Sequence, residues 1–262
     1  MKKILTILFL SILISIPAYA DKGKIKDGFI KKNSVKPLKK DFNIEDPKNK
    51  IILIYNHGQN ENDSVKDCAW VNMLRNHASL VDQEVNGKKI MVYNLCSNHL
   101  RGDMSPKKDW WYQKPQPKIY KGKHILDKRV ELNLELAEKF VNLGVPRKQI
   151  FITGHSCGGL ATLLFMTRYP ETVGGGISYM QACFGKLSHR LKVKKVGIEK
   201  AMEKFRKKDQ GPHDLRQKMN DEIKNNLKVP VLSFTHPKDK FEGLLSDWLE
   251  EIPGMNRIII SE

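Results

Sequence analysis

The sequence predicts an α/β domain: a mostly parallel, doubly wound sheet with helices on both faces. Three observations predict it. Short β-branched runs that are apolar on both faces alternate with segments of helical period. The alternation persists along most of the chain, which demands crossovers and so a parallel sheet. At residues 149–166 an apolar run, a turn flanked by Gly154 and Gly158, and a second apolar run follow one another as strand, tight turn and helix.

Taken in order, Lys2 and Lys3 precede a lipophilic run from Ile4 to Ile16, broken by Pro17 and followed by the small-residue site Ala18-Tyr19-Ala20. Residues 1–20 therefore read as a secretory signal cleaved before Asp21, and the mature chain is expected to be periplasmic or secreted, without stable membrane insertion. Residues 21–50 form a basic arm, broken by Pro37 and Pro47, with room for one edge strand. Residues 51–262 form the domain. Ile51–Tyr55 is a buried strand ending at Asn56-His57-Gly58-Gln59, and a helix is expected over Ser64–Asp82. A strand follows over Lys89–Leu95, then a polar loop over 97–124 carrying Trp110-Trp111-Tyr112.

An amphipathic helix is expected over Ile125–Leu143, striped by Val130, Leu134, Ala137 and Val141 and stopped by Gly144 and Pro146. After the 149–166 unit comes a glycine-rich strand at 173–180, where bare backbone allows close packing. A basic helical insertion at about 184–228 follows, in a lid position. Strands at Pro230–Thr235 and Asn256–Ile260 flank a short helix over Phe241–Glu251. Right-handed crossovers bring His57-Gly58, Ser156 and the segment after Thr235 to one sheet edge, where open α/β sheets bind ligands.

The chemistry centres on Gly154-His155-Ser156-Cys157-Gly158. A G-x-S-x-G turn between strand and helix presents a strained serine above the strand ends, and the helix N-terminus beneath it offers free N–H groups to developing negative charge. No Cys/His grouping has metal-ligand spacing and no phosphate-binding glycine loop is present, so neither metal nor cofactor is expected. The formal charge of +17 comes without a recognisable nucleic-acid module, so nucleic acid is not an expected partner. Export makes disulfides admissible. A Cys68–Cys96 bridge is expected near the mouth of the site, while Cys157 and Cys183 read as buried thiols, with a bridge between them as the alternative.

These residues resemble the α/β-hydrolase family, and within it the dienelactone-hydrolase and esterase branches. The resemblance runs from about residue 50 to the end. It rests on Asn56-His57-Gly58-Gln59, the Ser156 turn, and Pro230-Val231-Leu232 followed by His236-Pro237-Lys238-Asp239. It implies that Ser156 is the nucleophile toward a small-molecule acyl ester and Asp239 the acid of a triad, with Glu242 as fallback. Backbone N–H groups of Gln59 and Cys157 would form the oxyanion hole. His57, Trp110 and Trp111 would line the substrate site. It also implies a histidine after the last strand and a closing helix. Only Ser261 and Glu262 follow Ile260, so the chain is expected to be C-terminally incomplete. A non-catalytic binding relative and an unusual base, with His236 as the stand-in, are the alternatives. A peptidase of the same fold is the rival enzyme class. The insertion carries eight basic residues between Lys192 and Lys208. These either favour anionic substrates or surfaces or form a solvated helical face.

Overall fold

The computed structural model of the protein describes residues 28–34, 43–58, 71–96 and 124–260. Residues 1–20, where a signal is expected, and Gln59, Cys68, Trp110 and Trp111 lie outside these residues. In chain order the elements are β1 (Gly28–Phe29), β2 (Lys50–Asn56), α1 (Val71–Ala78), β3 (Glu84–Val85), β4 (Lys88–Leu95), α2 (Ile125–Asn142), β5 (Ile150–His155), α3 (Cys157–Arg168) and β6 (Gly175–Tyr179). Helices α4 (Leu187–Leu191), α5 (Val193–Val196), α6 (Ile198–Lys208) and α7 (Gln210–Asn226) follow, then β7 (Val231–Thr235), a 3-10 helix (Gly243–Glu251) and β8 (Met255–Ile259).

The strands form one sheet in the order β1-β4-β2-β5-β6-β7-β8, with β3 paired to β4. β1 and β3 are antiparallel additions at the β4 edge, and the other pairings are parallel. From β2 the chain moves outward to β4, crosses back over β2 to β5, and continues in one direction to β8. The strand order therefore reverses between β2 and β5, and the crevice of an open sheet lies at the C-terminal ends of those two strands. Alternate residues of each strand feed opposite faces. Ile52, Ile54, Ile150 and Ile152 join the core shared with α2 and α3, whereas Ile51, Leu53, Tyr55 and Phe151 join the core under α1.

The described part of the first helix ends at Ala78 rather than Asp82; residues 79–82 form a turn in which Asp82 takes a left-handed φ of 62°. The helix expected over 241–251 is a 3-10 helix starting at Gly243. The glycine-rich strand is close-packed as expected: a Cβ on Gly176 would sit 2.6 Å from Met166 Cγ of α3. Arg168 of α3 bonds Asp127 of α2 at 2.7 Å and Glu222 of α7 at 2.6 Å, tying three helices on one face. The basic arm contributes β1 as the edge strand.

The inward stripe of α2 differs from the apolar pattern. Leu126, Arg129, Val130, Asn133, Ala137 and Phe140 are buried, while Leu134 and Val141 are only partly so. The stripe keeps its helical spacing but is rotated, and two of its members are polar because the end of β2 supplies their partners.

Under the α1 face, His77 is buried between Tyr55 and Tyr179, with ring centroids 4.5 and 5.7 Å away. Its Nδ1 donates to Met73 O at 2.8 Å, and its Nε2 lies 3.0 Å from Thr153 Oγ1, from which the neutral ring accepts. Burial pushes its pKa down to about 4, against the opposing effect of the Met73 carbonyl. The ordinary value is about 6.5, so between pH about 6.5 and about 4 the unfolded chain binds a proton that the folded chain refuses. Stability is complete above that window and falls as pH drops through it, by about 1.4 kcal/mol per pH unit for one histidine. Urea denaturation at several pH values will show His77→Asn losing about one proton's worth of that slope.

Candidate active site

Ser156 stands between β5 and α3 with φ 55° and ψ −120°, a conformation an L-residue adopts only when its surroundings enforce it. The enforcement is visible. A Cβ on Gly154 would lie 2.3 Å from the Gly158 carbonyl, and one on Gly158 would lie 2.1 Å from Asn56 O. Strand β5, the first turn of α3 and the end of β2 therefore meet backbone to backbone. The serine is half-buried. Its N–H donates to Tyr179 O at 3.0 Å, its carbonyl accepts from Ala182 N at 3.1 Å, and its Oγ donates to Ala182 O at 3.0 Å. Ser156 is thus held by the last residue of β6 and twice by Ala182 in the segment that follows it. Among the described residues no histidine bonds its hydroxyl.

Cys157, the first residue of α3, is one of the helix's first-turn residues, whose N–H groups have no partner inside the helix. Its side chain corrects the expectation of a thiol: Cys157 and Cys183 are bridged, with Cα atoms 4.4 Å apart. Both residues are buried. The physical reason is the same wrapping of the β6 loop around Ser156, which brings residue 183 beside the helix start. Cys96 is also disulfide-bonded; Cys68 lies outside the described residues.

The loop after β2 is supported from α2. Asn56 and Asn133 exchange reciprocal amide bonds of 2.9 Å, and Asn133 also donates to Arg129 O at 2.7 Å. Arg129 Nη1 donates to His57 O at 2.9 Å. All of these side chains are buried. His57, expected at the substrate site, is 1% exposed, and its Nδ1 donates to Gly58 O. The sequence reading missed Arg129 and Asn133. Their spacing of four, aligned with the apolar residues Leu126, Val130 and Ala137, was the available signal.

Asp239 lies in the loop after β7, half-buried, and its Oδ2 accepts from Glu242 N at 3.0 Å. Its charge acts on His155, raising a pKa that burial lowers more strongly, to about 4. His155 is therefore neutral at neutral pH. The strand ends place His57-Gly58 after β2, Ser156 after β5 and Asp239 after β7 at one edge of the sheet. His236 is turned onto its own loop, where Nδ1 accepts from Lys238 N at 3.0 Å.

Glu242 is not placed to serve as the acid. It is 5% exposed and bound to Arg216 of α7 at 2.5 Å, and Arg216 also donates to Leu245 O at 3.1 Å. Burial pushes the Glu242 carboxyl up, against the pull of Arg216. A tight cavity lined by Gln181, Ala182, Arg216 and Glu242 sits between this ion pair and the β6 loop. Gln181 Nε2 is buried there with no protein partner.

Within the basic segment, Lys192, Lys194, Lys195, Lys200, Lys204, Arg206, Lys207 and Lys208 are all exposed. A cleft of about 460 Å³ lies between α6, α7 and the 3-10 helix, lined in part by Met202, Leu244 and Trp248 and by the acidic Asp221, Asp247 and Glu251. No helix of the described residues is long and apolar enough to cross a membrane.

No protein-family model matches the sequence, and no curated protein does. Solved structures do. A brefeldin A esterase, a bacterial homologue of human hormone-sensitive lipase, superposes with a TM-score of 0.50 at 12% identity over 98% of this chain and 76% of its own. An acetyl xylan esterase from Paenibacillus sp. R4 gives 0.47 at 12% identity over 84% of this chain and 70% of its own. A phospholipase/carboxylesterase from Dyadobacter fermentans gives 0.45 at 14% identity over 90% and 88%. The mostly parallel sheet and the brefeldin A esterase superposition give this chain the α/β-hydrolase fold.

Two substitutions test this construction. Gly158→Ala drives a methyl group into Asn56 O and should cost about 3 kcal/mol or more in urea unfolding, because backbone on both sides cannot yield. Arg216→Met should cost about 3–5 kcal/mol by leaving the Glu242 carboxyl buried without its partner, and the double variant Arg216→Met/Glu242→Leu should recover most of that loss.

Proposed function

We propose that the protein is a serine hydrolase that cleaves carboxylic esters through an acyl-enzyme on Ser156. The observation that carries this reading is the conformation of Ser156 at the junction of β5 and α3, with φ 55° and ψ −120°, one bond to the end of β6 and two to Ala182 in the loop after it. Strain of this kind persists where a structure must present one side chain in one direction.

In this reading Ser156 Oγ attacks the acyl carbonyl and the carbonyl π electrons move onto oxygen. The Cys157 N–H at the start of α3 is a donor for that oxyanion, with Gln59 N–H as its partner. Collapse of the tetrahedral intermediate expels the alcohol and leaves the acyl-serine, which water hydrolyses. In a complete triad the Ser156 Oγ proton passes to an imidazole and from it to the departing alkoxide, and Asp239 would supply the negative charge that orients and stabilises that imidazolium. The Ala182 carbonyl orients the Ser156 hydroxyl in the resting chain and releases it on attack. The signal-like residues 1–20 support export, so the substrate is one met in the periplasm or outside the cell. The exposed basic face of α4–α6 supports a preference for anionic esters only through long-range attraction, since its lysines stand in solvent.

A second reading is a binding protein on an inactive hydrolase fold. It is favoured by the Ser156–Ala182 bond, in which the hydroxyl donates to a carbonyl rather than to a base. A fluorophosphonate probe separates the two. The hydrolase reading expects one labelled peptide containing Ser156, and loss of both labelling and nitrophenyl-ester turnover in Ser156→Ala. Folded protein that takes up no probe would overturn the hydrolase reading and favour the binding one.

A further inference from the structure

The Cys157–Cys183 bridge lies closer to the chemistry than any other covalent feature of the described residues. Cys157 carries the first N–H of α3 and follows the nucleophile directly. Cys183 follows Ala182, whose N–H and C=O both bond Ser156. The β6 loop is also attached to the sheet through Met180, which takes a left-handed φ of 44° and donates to Phe234 O at 2.7 Å, and through Gln181, whose Oε1 accepts from Ser233 Oγ at 3.4 Å. The backbone bonds around Ser156 and the disulfide therefore close a short ring: Ser156 to Ala182, Ala182 to Cys183, Cys183 to Cys157, and Cys157 back to Ser156.

Resting on the reading of Ser156 as nucleophile, we propose that the Cys157–Cys183 disulfide is the positioning element of the acylation site. It holds the oxyanion donor and the nucleophile in register, so that breaking it slows acylation of Ser156 without unfolding the chain. Two thiols cannot occupy the space of one S–S bond. As separate groups they sit at van der Waals rather than covalent separation, so reduction pushes the start of α3 and the β6 loop apart by on the order of an ångström. Both cysteines belong to the buried core that also contains Leu160, Phe184 and Leu187. A close-packed shell transmits such a shift instead of absorbing it. Its two outlets are the Cys157 N–H and the Ala182 groups bound to Ser156, and both belong to the reacting geometry. Misplacement on this scale costs on the order of 10²-fold in rate.

The switch chemistry is ordinary thiol–disulfide exchange. A dithiol reductant attacks one sulfur as thiolate and forms a mixed disulfide. Its second thiol then displaces the protein sulfur, so that two electrons pass to the protein, two thiols form on it, and the reagent becomes the cyclic disulfide. Burial of Cys157 and Cys183 at 3% and 2% exposure makes this step slow in the native state and its product long-lived once formed.

The test measures the second-order rate of fluorophosphonate labelling of Ser156 in the full chain, before and after dithiothreitol. Alkylation and mass spectrometry verify that Cys157 and Cys183 are reduced, and circular dichroism follows the fold. Reduction also opens the bridge at Cys96, so the comparison is repeated in Cys96→Ala. The expected result is a 10- to 100-fold slower rate on a native spectrum, restored by reoxidation. The Cys157→Ala/Cys183→Ala variant, which has no sulfur pair to separate, should label at a rate that the reductant leaves unchanged. A rate within twofold of the oxidised chain when both cysteines are reduced would overturn the proposal. So would loss of the native spectrum on reduction, which would make the bridge a stability device only. Absence of labelling in the oxidised chain would instead remove the hydrolase reading, and this inference with it.

Discussion

Three stretches of backbone meet at one point: the end of β5 at Gly154, the first turn of α3 at Gly158, and the end of β2 at Asn56. The clearances there are small enough that a single methyl group on either glycine would overlap main-chain atoms. That contact fixes where α3 begins, and so forces Ser156 into its left-handed φ. It also fixes how near the β2 loop comes to the serine. Every other feature of the site is an arrangement for keeping this junction closed.

Two buried polar systems do that from opposite sides. From α2, Asn133 and Arg129 satisfy the amide of Asn56 and the carbonyl of His57, groups that would otherwise be stranded at a strand end away from water. From α7, Arg216 engages Glu242, whose N–H is in turn capped by Asp239. A buried ion pair of this kind adds little net stability compared with apolar packing. Its effect here is geometric: it pins the loop that carries Asp239 to the helix that crosses from β6 to β7. The disulfide works between the two, joining the helix start to the loop that cradles Ser156.

Much of the site was legible because it depends on local backbone. Gly154, Ser156 and Gly158 announce the turn by their spacing. Thr235 and Asn56 end strands, so residues beyond them had to reach the same edge. Other assignments were not legible. Arg129 and Asn133 share the spacing of the buried stripe of α2, but what they bond to is hidden until the end of β2 is known to lie against them. Glu242 reads as a spare carboxylate until Arg216, 26 residues earlier, is brought to it. The cysteines followed the same rule: residues 157 and 183 look like separate buried thiols unless the β6 loop is known to fold back over the elbow.

The sequence by itself determined the order of strands and helices, the parallel character of the sheet, and the strained serine turn, because hydrophobic period and glycine placement act within a few residues. Tertiary structure alone decided which polar side chains are buried, which carboxylate is taken by an arginine and which cysteines are joined. Those outcomes depend on distances between segments far apart in the chain, and only the packed sheet sets them.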